Sequence, residues 1–344
     1  ISRLQNVKER IYVKLLTRTL FQVDSFLSYM ILSIIVPCYN VDLYVEKCID
    51  SLEKQDIPKD DYEILAYNDE SKDNTLCILE KLAKKYPNVK VASHKNKGLS
   101  GTRNRGVREA KGDFIWFIDS DDWISDNCLG KILSSITDET DIVAFSGFIP
   151  EGNRSVGADI YGEKVIDKQT LFTYGFADGA PFYMHRRDFL IKNNLFFKEG
   201  IKHEDTLFTP IVLNEARDIS FYRTPVYHYL LRAGSITTVK DVKRIYDLHD
   251  NMVYLSEYAD TIKDLVVKRG FLNHIAHHII EMLNYGIDNG IDGEKLINQI
   301  MQGHPYLWQI MKNAIDLKPR LIYWAVKLSP FPFITTYRLL TKLK

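Results

Sequence analysis

The spacing of apolar residues changes twice along the chain. From residue 31 to about 146, short unbroken apolar runs alternate with segments whose apolar residues fall three and four apart. The run "ILSIIVP" (31–37) is β-branched and nearly continuous, as a strand buried on both faces requires. "LYVEKCIDSLEKQ" follows with helical spacing, then "YEILAYN" as a second strand. Helix "NTLCILEKLAKKY", strand "VKVASH", helix "LSGTRNRGVREA", strand "DFIWFID", helix "ISDNCLGKILSSI" and strand "DIVAFS" continue the series. This alternation predicts a doubly wound, mostly parallel α/β sheet flanked by helices. Residues 147–240 are less regular, with strands at "DISFYR" and "PVYHYLLR", and from 241 the pattern is helical throughout. The expected division is therefore an N-terminal extension (1–29), an α/β domain (30–240) and a helical C-terminal region (241–344). Residues 1–29 are basic and helix-compatible, and Met30 directly precedes the first strand, so they read as an extension or as sequence upstream of the start that matters.

Length and composition narrow the picture modestly. The 344 residues hold one large α/β domain and a smaller one, and a net charge of zero gives no reason to expect nucleic acid. Four cysteines without a CxxC pair read as reduced, buried thiols of a cytoplasmic protein, Cys38 and Cys77 lying in apolar runs. The N-terminus lacks an apolar core with a small-residue cleavage site, and no apolar run approaches the ~20 residues that span a bilayer. The C-terminal stretch 316–344 carries Lys318, Arg320, Lys327, Arg338, Lys342 and Lys344 among Trp324, Phe331 and Phe333. Pro330 and Pro332 interrupt it. Such a segment suits peripheral contact with an anionic membrane surface, the alternative being a packed helix with solvated lysines.

Candidate chemistry collects at the predicted strand ends, where doubly wound sheets bind ligands. The motifs "PCYN", "NDES" and "DSDD" all end strands. Asp119, Asp121 and Asp122 crowd three carboxylates behind an aromatic strand, and a helix cap accounts for only one of them. A hard cation such as Mg²⁺ or Mn²⁺ with a phosphate accounts for the rest, strand alternation placing Asp119 and Asp121 on one side. In "YNDESKDNT", turn and cap chemistry uses Ser71 and Asp73 and leaves Asp69 for a ligand. In "NKGLSGTRNRG", Gly98 precedes a helix start and Arg103 can reach a carboxylate or phosphate, a solvated basic face with Arg105 being the alternative. Glu204 and Asp205 after His203 open a helix, where acids either answer the macrodipole or act as a general base. Arg232, Ser235 and Thr237 form a loop suited to a pyrophosphate. His274 and His278, one helical turn apart near Glu281, have zinc spacing but read better as a packed helix. Phe182, Tyr183, Phe196 and Phe197 read as core rather than sugar platform.

These motifs in this order resemble glycosyltransferase family 2, from "LSIIVPCYN" through "YNDESKDNT", "NKGLSGTRNRG", "GDFIWFIDSDD" and "HEDTLF" to "RAGSITT", about two-thirds of the chain. The resemblance implies a GT-A fold and inverting transfer from a UDP-sugar to a glycan or lipid-linked acceptor in bacterial surface polysaccharide synthesis. It divides the catalytic domain into a nucleotide-sugar half (30–146) and an acceptor half (147–240). It assigns Pro37, Tyr39, Asn40, Asp69, Arg103, Asp119, Ser120, Arg232 and Ser235 to the nucleotide-sugar and Asp119, Asp121 and His228 to Mn²⁺ or Mg²⁺. Asp205 becomes the catalytic base, with Glu204 beside it. The chain departs from the family pattern at Glu70, where members carry glycine. A non-catalytic nucleotide-sugar- or partner-binding member is one rival, though Asp121 and Asp205 are both present. A sugar-1-phosphate nucleotidyltransferase is another, opposed by the glycine-free loop "PCYNVDLY".

Overall fold

A computed structural model describes residues 30–150, 154–157, 164–231, 241–329 and 332–342. The expected extension at 1–29 lies outside the described residues, as do Arg232, Ser235, Thr237, Pro330 and Phe331. The strands are β1 (Leu32–Cys38), β2 (Tyr62–Asn68), β3 (Val89–Ser93), β4 (Phe114–Phe117), β5 (Trp123–Ile124), β6 (Thr140–Ile149), β7 (Arg154–Gly157), β8 (Tyr183–Arg186) and β9 (Asp218–His228). Every residue of β1, β2 and β4 is buried, including the polar Ser33, Glu63 and Asn68 within otherwise apolar runs. Among the described residues these strands form one mixed sheet in the order β3-β2-β1-β4-β8-β6-β9-β5, with β7 on β6. The block β3-β2-β1-β4 is wholly parallel, matching the expected alternation. From β4 onward β8 pairs antiparallel with β4 and β6, while β9 returns parallel to β6.

Two compact units emerge. The first holds the whole sheet with α1 (Val45–Glu53), α2 (Thr75–Lys85), α3 (Gly98–Glu109), α4 (Leu129–Ser134) and α6 (Arg187–Lys192). The second holds α5 (Lys168–Tyr174), α8 (Lys243–Ala259), α9 (Leu265–Asp288), α10 (Gly290–Gly303), α11 (Tyr306–Lys312), α12 (Leu317–Leu328) and α13 (Phe333–Lys342). Helix α7 (Glu204–Glu215) belongs to the second unit up to Pro210 and to the first from Ile211.

Within the first unit α3 lies close against β1, because a Cβ at Gly106 would stand 2.6 Å from Ile35 side-chain carbons. That approach carries Arg103, one turn earlier on α3, into the protein. Two expectations need correction. The helix predicted over 124–136 is confined to 129–134, because Trp123 and Ile124 pair with His228 and Tyr227 as β5. A partner strand about a hundred residues away overrides the local helical spacing. Cys77 is exposed, whereas Cys38, Cys48 and Cys128 are buried. Helix α2 buries Thr75, Leu79 and Leu82, which turns position 77 to solvent.

Candidate active site

Strands β2, β1 and β4 are neighbours and parallel, so their three polar carboxyl ends share one edge of the sheet. The loops after β1 and β2 are hydrogen-bonded into one piece. Asn40 N–H donates to Ser71 Oγ (3.1 Å) and Lys72 N–H to Asn40 Oδ1 (2.8 Å). Val41 N–H donates to Thr75 Oγ1 (2.9 Å) and Asp42 N–H to Asp73 Oδ2 (3.1 Å). Ser71 and Asp73 thus hold the neighbouring loop, beyond the local turn chemistry expected of them. The Asn40 side chain serves this clasp, Pro37 is buried in β1 opposite Tyr67, and Tyr39 is exposed. Glu70, the departure from the family pattern noted in the sequence, has φ +66°. Its carboxylate accepts from Asn96 N–H (3.2 Å), which ties down the strained turn.

Asp69 is buried and its Oδ1 is already engaged. Lys97 N–H donates to it at 2.7 Å, and His94 Nε2 stands 3.0 Å away. Arg105 Nη1 lies 2.8 Å from His94 Nδ1. A guanidinium only donates, so Nδ1 accepts and Nε2 carries the proton, with Thr102 Oγ1 at 3.2 Å as its hydrogen-bond partner beside Asp69. Arg105 also covers the Tyr67 ring (4.9 Å) and pairs with Glu109 (2.8 Å). The expectation that turn and cap chemistry leaves Asp69 wholly to a ligand therefore needs amending, since Lys97 N–H already occupies Oδ1. His94 is absent from the expected site, yet it directly follows β3, on the same sheet edge, and that position was the available signal.

After β4 the chain turns. Asp122 N–H donates to Asp119 O (3.1 Å), so the aspartates occupy a tight turn and not the extended end from which strand alternation was argued. Asp119 Oδ1 pairs with Arg103 Nη2 at 2.9 Å. Arg103 is 1% exposed, and its guanidinium lies over the Phe197 ring at 5.1 Å. The solvated-face reading therefore fails at Arg103. Asp122 is buried and accepts from the Tyr227 hydroxyl and from Leu230 N–H (2.7 Å), not from a helix terminus. Burial first, and then the charge of Asp119, push its carboxyl up to about 8. Ser120 is buried and Asp121 partly exposed.

No three ligand atoms of this turn lie within 4.8 Å of one another among the described residues. Mg²⁺ and its relatives, however, are commonly bound by one or two carboxylates plus substrate phosphates. The all-oxygen donors Asp119 and Asp121, both partly exposed, fit such an ion. His228 is placed differently. Its ring stacks on Trp123 (5.3 Å, 3° between planes) and Nε2 lies 3.0 Å from Ser125 Oγ, so that nitrogen faces a hydroxyl. Burial, then the Lys47 charge, hold it below the usual histidine range.

Glu204 and Asp205 open α7 within the second unit. His203, just before them, has φ +57° and is clamped by α8. Asn251 Nδ2 donates to its carbonyl (2.9 Å), Arg244 Nε to its Nε2 (3.2 Å), and Asp247 Oδ2 accepts Lys202 N–H (2.6 Å). Arg244 lies over Tyr285 at 4.2 Å and donates to its hydroxyl (2.6 Å). His274 and His278 face each other through Nε2 at 3.1 Å, with Glu281 2.9 Å from His278 Nδ1 and Phe176 stacked on His274 (4.3 Å). Tyr183 and Phe197 are buried core, Phe182 packs on Tyr227, and Phe196 carries Arg108 on its ring.

With this geometry in view, a family model described as glycosyl transferase family 2 matches residues 33–200. The uncharacterized glycosyltransferase EpsJ of Bacillus subtilis (strain 168) is 30% identical over 240 residues, 67% of this chain and 69% of that protein. The poly(ribitol-phosphate) beta-glucosyltransferase of Bacillus spizizenii is 32% identical over 211 residues, 59% of this chain. The match spans 32% of that relative, and 62% of the protein EpsH of Bacillus subtilis (strain 168), so both extend well beyond it. Among solved structures, TarS 1–349 of S. aureus in complex with UDP-GlcNAc superposes with a TM-score of 0.70 at 22% identity, covering 91% of each chain. That likeness establishes the fold.

Proposed function

The chain belongs to glycosyltransferase family 2, and from that premise we propose that it is a metal-dependent, inverting transferase acting on a UDP-sugar. The acceptor in this reading is a hydroxyl of a glycan or lipid-linked intermediate in bacterial surface polysaccharide synthesis. The UDP-GlcNAc bound by TarS and the glucosyltransferase activity named for the Bacillus relative favour a hexosyl or N-acetylhexosaminyl donor. The observation that carries the reading is the meeting of Asp69, Arg103 and the Asp119–Asp122 turn on one parallel strand edge.

Asp69, braced by His94 and Lys97, offers Oδ2 to the donor's base. Arg103 fixes Asp119, and Tyr227 and Leu230 fix Asp122, so the turn keeps its shape before substrate arrives. A divalent cation at Asp119 and Asp121 would neutralise the charge that grows on the departing nucleoside diphosphate. Asp205 takes the proton from the acceptor oxygen as that oxygen bonds to the anomeric carbon and the diphosphate leaves, and one displacement inverts the centre. Arg232 and Ser235 are assigned to the diphosphate and His228 to the cation by their match to the family pattern alone. A catalytic domain spanning 30–240 and a helical region 241–344, with peripheral attachment at the cytoplasmic face of the membrane, complete the proposal.

UDP titration with and without Mn²⁺, followed by UDP release from a panel of UDP-sugars, tests it. Binding should need the ion and disappear in Asp121→Ala, and release from one donor should stop with EDTA. A protein that binds no UDP in the presence of Mn²⁺ would refute the reading and leave a non-catalytic member of the fold.

A further inference from the structure

Helix α12 exposes an apolar stripe. Leu317, Leu321, Trp324 and Leu328 are 60%, 57%, 47% and 77% exposed. Steps of four, three and four residues put all four on one narrow line of the helix. The opposite side carries Pro319 and Ile322, which are buried, so the helix is already seated by its back. Its start is fixed as well: Asp316 accepts from Asn273 Nδ2 (2.9 Å) and lies 2.6 Å from His277 Nε2. At 100° per residue, Arg320 and Lys327 flank the stripe on one side and Lys318 on the other, all three exposed. The helix itself, Leu317–Leu328, contains no acidic residue. Among the described residues no helix is long and apolar enough to cross a membrane.

We infer that α12 is an interfacial docking helix that lies flat in an anionic bilayer surface, with Leu317, Leu321, Trp324 and Leu328 entering the acyl boundary and Lys318, Arg320 and Lys327 meeting lipid phosphates. Charge complementarity selects this occupant. A second copy of the same stripe would bring six cations together, whereas an anionic headgroup layer answers each of them. Trp324 suits the boundary because its ring is apolar and its N–H polar. The inference deepens the membrane-attachment part of the proposal above. It is tested without donor or acceptor, so its failure would leave the transfer reading standing.

The test is flotation of the full chain with phosphatidylcholine vesicles containing or lacking phosphatidylglycerol. Binding is expected only to the anionic vesicles and should weaken as salt rises. Leu321→Ser with Trp324→Ser should weaken it at least tenfold, and Lys318→Gln with Arg320→Gln and Lys327→Gln should do likewise. Circular dichroism and UDP binding should stay as in the wild type in both variants. Trp324→Phe should keep vesicle binding while losing most of the fluorescence quenching by brominated lipid. The inference is overturned if the wild type ignores anionic vesicles or if the stripe variants bind as well as it does. A wild-type dimer that Leu321→Ser with Trp324→Ser converts to monomer without changing vesicle binding also overturns it, since the stripe would then be a self-association surface.

Discussion

Replacing Arg103 by methionine tests the idea that the aspartate turn is held by a buried ion pair. The substitution keeps side-chain length and leaves the contact with Phe197 apolar. At 2.9 Å and an effective dielectric of about 20, the attraction to Asp119 is about 6 kcal/mol. Asp119 is 28% exposed, so water screens part of that, and Arg103 regains its lost hydration in the unfolded chain. The net loss should therefore be about 2–3 kcal/mol, below the 3–5 typical of a fully buried pair. In a unit of this size that lowers the melting temperature by roughly 4–12 °C. Differential scanning fluorimetry of Arg103→Met, Asp119→Asn and the double variant gives the pair's own share. The double variant should be less destabilised than the sum of the singles, with about 1–2 kcal/mol of coupling. Additive single effects, or a melting temperature for Arg103→Met within about 1 °C of wild type, would refute the reasoning, because the pair would then hold nothing.

At Glu70, φ +66° predicts that Glu70→Val costs about 1–2 kcal/mol in thermal melts while Glu70→Gly costs less, its relief of strain offsetting the lost bond to Asn96. Gly106→Ala should destabilise by about 1–3 kcal/mol, since its Cβ meets Ile35, and Ile35→Ala in the same chain should recover part of the loss. Buried Glu63 gives a pH prediction. Burial alone would raise its carboxyl, but Lys90, Ser33 and the Lys111 N–H outweigh that and hold it below the usual range. Its stabilising effect is therefore complete above the unfolded glutamate value of about 4.3 and fades as pH falls through the lower folded value. The stability gap between wild type and Glu63→Gln in urea melts should be flat from about pH 7 to pH 6 and close below about pH 4; a gap that widens in acid would contradict the assignment.

The sequence carried the sheet edge well. Short, largely apolar runs identify β1, β2 and β4, and in a parallel block the polar residues after such runs must share an edge, which is why Asp69 and Asp119 could be expected on the same side of the sheet. What it hid depends on pairing at a distance. Tyr227 lies 105 residues from the Asp122 it binds, and no local pattern announces that contact. The same strand pairing created β5 and shortened α4. The turn at Asp119–Asp122 defeated an alternation argument valid only while a strand stays straight. His94, by contrast, was legible in hindsight from its position after β3. Cys77 was too, because the spacing of Thr75, Leu79 and Leu82 already turned it outward.

The clasp between Asn40, Val41, Asp42 and Ser71, Lys72, Asp73, Thr75 has a consequence for anyone building hybrids of such proteins. Each loop supplies what the other lacks, so the two make a single graft that happens to be written as separate stretches about thirty residues apart. Moving only the first from a donor leaves the amides of Asn40, Val41 and Asp42 without the Ser71, Thr75 and Asp73 side chains that accept them, and the transplant should take only when both pieces travel together.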